Sequence, residues 1–89
     1  MRLRTRDGVA LGAWFIDATD PGAASVLELH GRGGTRQARL GAAGVLRERG
    51  CAVLLVTLRA HGDSDGQRED FGWSARHDVV AAVEWLHSR

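Results

Sequence analysis

The run His30-Gly31-Arg32-Gly33-Gly34 sits between a short apolar segment and a helical pattern. A glycine-rich turn from strand to helix offers main-chain N–H groups to an anion. Two chemistries use that arrangement: holding a phosphate or dinucleotide, and stabilising the oxyanion of acyl transfer. A tight loop that needs glycine only for its backbone angles is the third reading. The dinucleotide spacing G-x-G-x-x-G begins at Gly31 and Gly33 but meets Arg36 where the third glycine belongs. The next strand ends in Thr57-Leu58-Arg59, with no acid to hold a ribose, although Arg59 suits a 2′-phosphate. A small Rossmann-like NADP- or phosphate-binding module using Gly31 to Gly34 therefore stays open as the alternative to an oxyanion loop.

A second stretch, Gly62-Asp63-Ser64-Asp65-Gly66, spells G-x-S-x-G. A nucleophile elbow needs a strand that ends at the serine and a helix that starts directly after it. Here Arg59-Ala60-His61 separates the string from the strand, and Gln67 to Gly72 is too polar and glycine-broken for the helix. Asp63 and Asp65 also oppose ionisation of the serine. Ser64 reads instead as part of a loop whose short polar side chains satisfy the backbone. His77-Asp78 cannot complete a triad, because neighbours on a helix project about 100° apart. Asp78 there complements the helix dipole and His77 lies at the surface. His30, His61, His77 and His87 lack metal-ligand spacing, so no metal site is expected.

The elements that must carry these stretches follow from periodicity and turn chemistry. Arg2 to Arg6, Asp7-Gly8 and Val9 to Ile16 read as a β-hairpin. Asp20-Pro21-Gly22 turns the chain into a third strand, Ser25 to Leu29. A helix is expected from Arg36 to Arg49, with Ala38, Ala42, Val45 and Leu46 inward and Gly50 as its terminating glycine. Cys51 to Leu58 is a continuous apolar run, the pattern of a strand covered on both faces. After a polar loop from Arg59 to Gly72, Ser74 can cap a last helix whose buried stripe is Val79, Val80, Ala82, Val83 and Leu86. The fold class is α/β: an N-terminal β-hairpin, a right-handed parallel β-α-β unit and a C-terminal helix.

Composition narrows the partners. The 89 residues suffice for one small domain. A chain of that size buries only about 60–65% of its unfolded surface. Net charge is +1 and all twelve basic residues are arginine, interspersed with acids as on a solvated surface. Neither a nucleic-acid nor a membrane partner is expected without a strong basic field. No apolar run approaches the length of a membrane span, and Arg2, Arg4 and Arg6 leave no signal-peptide core. One cysteine, Cys51, excludes an internal disulfide and fits a cytoplasmic location.

Taken together and in order, the segments resemble the N-terminal part of the α/β-hydrolase fold, in its esterase, acyl-peptidase and dienelactone-hydrolase-like branch. Asp7-Gly8-Val9-Ala10-Leu11 resembles the family's opening hairpin. Leu29 to Gly34 resembles its "HG-x-GG" oxyanion loop, and Leu58 to Gly66 its "RGHG-x-S-DG" loop. Phe71-Gly72-Trp73 and Asp78 to Leu86 resemble the helix that follows. The family usually has aspartate where Thr57 stands and glycine where Ala60 stands.

The resemblance implies a partial α/β-hydrolase domain over 1–89, cut before the nucleophile elbow, with the catalytic serine, acid and histidine beyond Arg89. It implies the Arg32 main-chain N–H as an oxyanion donor, within a substrate-binding loop that includes Gly31, Gly33 and Gly34. The parent would hydrolyse a small-molecule ester, thioester or amide without a cofactor. The isolated chain would be inactive. In the family's strand order the third strand pairs with a later fifth strand, so aggregation or self-association through an exposed third strand is expected.

Overall fold

The computed structural model describes residues 1–31, 34–66 and 73–89. Its elements are β1 (Arg2–Arg4), β2 (Ala10–Ile16), β3 (Ser25–Leu29), a 3₁₀ turn (Arg36–Arg39), α1 (Leu40–Glu48), β4 (Ala52–Val56) and α2 (Arg76–His87). They form one four-stranded sheet in the order β1-β2-β4-β3. β1 and β2 are antiparallel, β2 pairs antiparallel with β4, and β3 pairs parallel with β4. The mixed sheet and its two helices give the expected α/β class, with the hairpin, the crossover and the last helix in the expected order.

The apolar run of β4 explains the layering. Every residue from Ala52 to Val56 is buried, and successive side chains point to opposite faces. Val53 and Leu55 meet Ala43 and Leu46 of α1 together with Ile16. Leu54 and Val56 meet Leu3, Leu11, Ala13 and Ala82, with Phe15, Trp85 and Leu86 packed around them. The Phe15 and Trp85 rings meet edge-on at 4.9 Å, tying α2 to β2.

Both helices differ from the periodic reading in detail. The first begins as a 3₁₀ turn and becomes α-helical only at Leu40. That change rotates the buried face: Ala43 is fully buried, whereas Ala38 is exposed and Val45 is 52% exposed. Gly50 ends the helix with φ +92, as its type requires. In α2 the N-cap position is Ala75, without a side-chain cap, so Ser74 does not fill the expected role; its carbonyl accepts the His77 N–H at 3.1 Å. The inward stripe is Asp78, Ala82, Trp85 and Leu86, while Val83 faces solvent. No helix among the described residues is long and apolar enough to cross a membrane.

Candidate functional site

The C-terminal ends of the parallel strands β3 and β4 lie side by side, and each releases a loop there. This edge of an α/β sheet is where ligands are held. Thr57, fully buried just past β4, joins the two loops. Its N–H donates to the Gly12 carbonyl, and its Oγ1 accepts the main-chain N–H and Nη1 of Arg36, each at 3.0 Å. Its carbonyl accepts the Ser64 hydroxyl at 2.5 Å.

The loop after β3 starts at His30, which is buried. Its Nε2 accepts the Leu58 N–H at 2.9 Å. An N–H can only donate, so the ring proton sits on Nδ1 and is donated to the Gly31 carbonyl at 2.6 Å. The same carbonyl accepts the Gly34 N–H at 3.0 Å. Gly31 is exposed and Gly34 half-buried. Arg32 and Gly33, the centre of the expected oxyanion loop, lie outside the described residues.

The loop after β4 is held by ions. Arg59, only 7% exposed, sits between two carboxylates. Its Nε and Nη2 donate to Asp78 Oδ1 at 3.0 and 2.8 Å, and its N–H donates to Asp78 Oδ2 at 2.9 Å. Nη1 and Nη2 also reach the two oxygens of Asp7 at 2.8 and 2.9 Å. Asp7 is further bound by the Thr5 hydroxyl. Arg59 above all, and then Thr5, hold the Asp7 carboxyl well below the usual carboxylate range; burial opposes this. Asp7 likewise leads the effects that raise Arg59 above the usual guanidinium value. Four of the five guanidinium N–H groups of Arg59 are taken by these two carboxylates, and the side chain is buried between them rather than presented to the 2′-phosphate that the nucleotide reading assigned to it.

Asp63 pairs with Arg36 through both oxygens, at 2.6 and 2.9 Å, and Arg36 holds its carboxyl below the usual range. Arg36 lies over the Trp14 ring at 4.4 Å. The pair crosses directly above Gly12, where any Cβ would collide with Asp63 Oδ1 and Arg36 Nη1. Arg2 binds the Asp63 carbonyl and, at 3.1 Å, the Asp65 carboxylate. Arg39 pairs with Glu28, and Arg6 with Glu84. The arginine clusters expected to be mere solvated surface are thus largely the staples of this end of the molecule.

Ser64 is tied to the main chain. Besides donating to Thr57, its Oγ accepts the Gly12 N–H at 2.8 Å. The hydroxyl satisfies backbone groups as expected, although those groups belong to β2 and to the end of β4 rather than to its own loop. The Asp63 and Asp65 charges that flank it are matched by Arg36 and Arg2.

Asp78 departs from the sequence reading. It does not serve the helix dipole at the surface but is fully buried against Arg59. The signal was present: Asp78 falls on the same helical stripe as Ala82 and Trp85, and an acid on an apolar stripe needs a buried cation. His77 is half-buried and stands beside, not within, this network. The resemblance of Phe71-Gly72 falls outside the described residues. Among those residues no cluster of histidine, cysteine or acid side chains could hold a metal ion.

A small cleft of about 170 Å³ lies beside the two loops, lined by Trp14, Thr35, Arg36, Gln37 and Asp63. A larger groove of about 370 Å³ lies between β1 and α2, on Leu3, Arg4, Ala81 and Trp85, and shares no residue with either loop. Chemistry, not volume, therefore locates the site.

Residues 12–89 match the X-Pro dipeptidyl-peptidase family (S15 family). The chain belongs to this family. Solved structures of esterases and α/β hydrolases are similar to all or nearly all of this chain. An esterase of Pyrococcus furiosus is 32% identical, with a TM-score of 0.88 over 100% of this chain and 35% of its own. The α/β hydrolase GrgF of Penicillium is 27% identical, with a TM-score of 0.83 over 97% of this chain and 30% of its own. Est1E of Butyrivibrio proteoclasticus, solved with ferulic acid bound, is 26% identical, with a TM-score of 0.83 over 100% of this chain and 37% of its own. No curated protein matches significantly. The S15-family chain thus spans about a third of the length of these solved relatives and has the fold of their N-terminal part, as the resemblance implied.

Proposed function

We propose that this chain is the N-terminal part of a serine hydrolase that transfers an acyl group from an ester, thioester or amide to water. Its own contribution is the loop from His30 to Thr35. The Arg32 N–H donates to the oxyanion, and Gly31, Gly33 and Gly34 leave room for the acyl group. The serine, acid and histidine belong to segments that follow residue 89 in the parent enzyme, and the 89-residue chain alone turns over no substrate. No cofactor or metal takes part.

One observation carries the reading. The only serine in a nucleophile-like string, Ser64, is bound by two main-chain groups, while the neighbouring glycine loop opens at the C-terminal end of β3. The family is one of peptidases and the P. furiosus relative is an esterase, and acyl transfer is a step that amide and ester hydrolysis share. A serine attacking the carbonyl puts negative charge on oxygen, and one fixed N–H there is worth about 10²–10³ in kcat.

The test replaces the N-terminal segment of the P. furiosus esterase by residues 1–89. Esterase activity is expected in the chimera. Arg32→Ala keeps the N–H and should retain activity, whereas Arg32→Pro removes it and should lower kcat about 10²–10³-fold with little change in KM. A chimera whose Arg32→Pro variant keeps full activity would refute the oxyanion assignment.

A further inference from the structure

His30 is buried and joins the ends of the two parallel strands. Its ring reaches from the loop after β4 to the loop after β3, and each nitrogen has one task. The Leu58 N–H can only donate, so Nε2 is held as its acceptor at 2.9 Å. In the neutral ring the proton then sits on Nδ1, beside the Gly31 carbonyl at 2.6 Å. The end of β4 thereby selects the tautomer that supplies a donor to the glycine-rich loop.

The Gly31 carbonyl oxygen has two lone pairs, and it accepts two donors: Nδ1–H of His30 and the Gly34 N–H at 3.0 Å. A Cβ at Gly34 would stand 3.3 Å from that oxygen and 3.6 Å from Nδ1, so a side chain there would press on the same group. A carbonyl and the N–H of the next residue belong to one planar trans peptide and point in opposite directions. Holding the oxygen from one side therefore sets the direction of the N–H on the other, and donors on the oxygen polarise that N–H. In the Gly31–Arg32 peptide this N–H is the one assigned to the oxyanion.

We infer that His30 is a positioning residue for acyl transfer: through Nδ1–H it aims the Gly31–Arg32 peptide at the oxyanion without touching substrate. The inference rests on the proposed role of the Arg32 N–H. It adds a dependence that runs from the end of β4, through one ring, to one peptide.

Two substitutions separate the nitrogens in the chimera with the P. furiosus esterase. An asparagine nitrogen falls near the place of Nδ1, and a glutamine oxygen near that of Nε2. His30→Asn therefore keeps a donor for the Gly31 carbonyl and gives up the Leu58 bond. His30→Gln keeps the Leu58 bond and gives up the donor. Each variant loses one bond, so a purely structural role lowers stability in both and sets no order in kcat. Positioning does set an order. His30→Gln should lower kcat about ten-fold with KM unchanged, and His30→Asn should hold kcat within about three-fold of the unaltered chimera. Nitrogen–proton correlation NMR of the unaltered chimera gives a check that needs no variant, with the His30 proton expected on Nδ1. The inference is overturned by a proton on Nε2, by equal kcat in the two folded variants, or by a loss in His30→Gln confined to KM. Full activity in Arg32→Pro would fell the oxyanion reading itself. A loss of kcat in Arg32→Pro beside two equal His30 variants would fell only the role of His30.

Discussion

The loops that leave β3 and β4 stand next to each other and are held by opposite means. The loop from Arg59 to Gly66 is bound by charge: Arg59 to Asp7 and Asp78, Arg36 to Asp63, and Arg2 to Asp65. Those contacts reach the hairpin turn, the start of the first helix, β1 and α2. The described ends of the loop from His30 to Thr35 rest on main-chain groups and one histidine ring. A loop fixed by many side chains is suited to being a floor. The difference gives the G-x-S-x-G string a structural part, and the proposal above places the chemistry on the glycine-rich one.

The largest way to break this contrast is to remove the buried acid. Asp78→Ala takes from Arg59 its fully buried partner and leaves it only Asp7, and removing one partner of a buried ion pair costs about 3–5 kcal/mol. Urea denaturation should register that loss, and a cost under about 1 kcal/mol would mean that the network does not hold the β4 loop. Next comes Gly12→Ala, which pushes Asp63 and Arg36 apart above β2. A forced fit of this sort costs about 1–3 kcal/mol. Combining it with Asp63→Ala should recover part of the loss, because that removes one of the two side chains in the way and frees Arg36 to move aside; no recovery would place the strain elsewhere.

Acidification acts on the same side of the contrast. The Asp7 and Asp63 carboxyls are lowered in the folded chain by Arg59 and Arg36. A group whose folded value is depressed stabilises the fold above its unfolded value, about pH 3.9 for aspartate, and loses that contribution as pH falls toward the folded value. The urea midpoint should therefore hold steady from neutral pH to about pH 5 and drop below about pH 4. Asp7→Asn should flatten that drop, and an unaltered pH dependence in the variant would argue against the Arg59 pairing. The smallest effect concerns Ala60, which has φ +63, a conformation that suits glycine. Ala60→Gly should change stability by less than about 1 kcal/mol, toward greater stability, since relief of the strain is partly offset by the freer unfolded chain. Clear destabilisation would show that the Ala60 methyl is needed.

How much of this could be read from the sequence follows from the range of the interactions. The strands, the crossover and Gly50 were legible. The hairpin turn was placed at Asp7-Gly8 but as a two-residue turn; Arg4 pairs with Ala10 and the Thr5 N–H donates to the Val9 carbonyl, so the turn takes in Arg6 as well and β1 stops at Arg4. The family glycine expected where Ala60 stands is explained by its φ of +63. The face of the first helix was misjudged because a 3₁₀ start has three residues per turn and rotates everything after it. The ion network was illegible because it joins Asp7, Arg59 and Asp78, which are far apart in the chain and meet only once the sheet is built. Periodicity showed that position 78 faces inward but not what it would find there. The reading of Ser64 as a loop serine agrees with its bonds to the Gly12 N–H and the Thr57 carbonyl, since what surrounds a serine matters more than the string that contains it.

The central claim is that Ser64 supports the loop and attacks nothing. The direct test is hydrolysis of p-nitrophenyl acetate by the 89-residue chain and by its Ser64→Ala variant, both verified as folded. The account predicts the same unsaturable background rate for both proteins, with the variant less stable by about 1–2 kcal/mol through loss of the bonds to Gly12 and Thr57. Saturable turnover by the unaltered chain that disappears in the variant would contradict it.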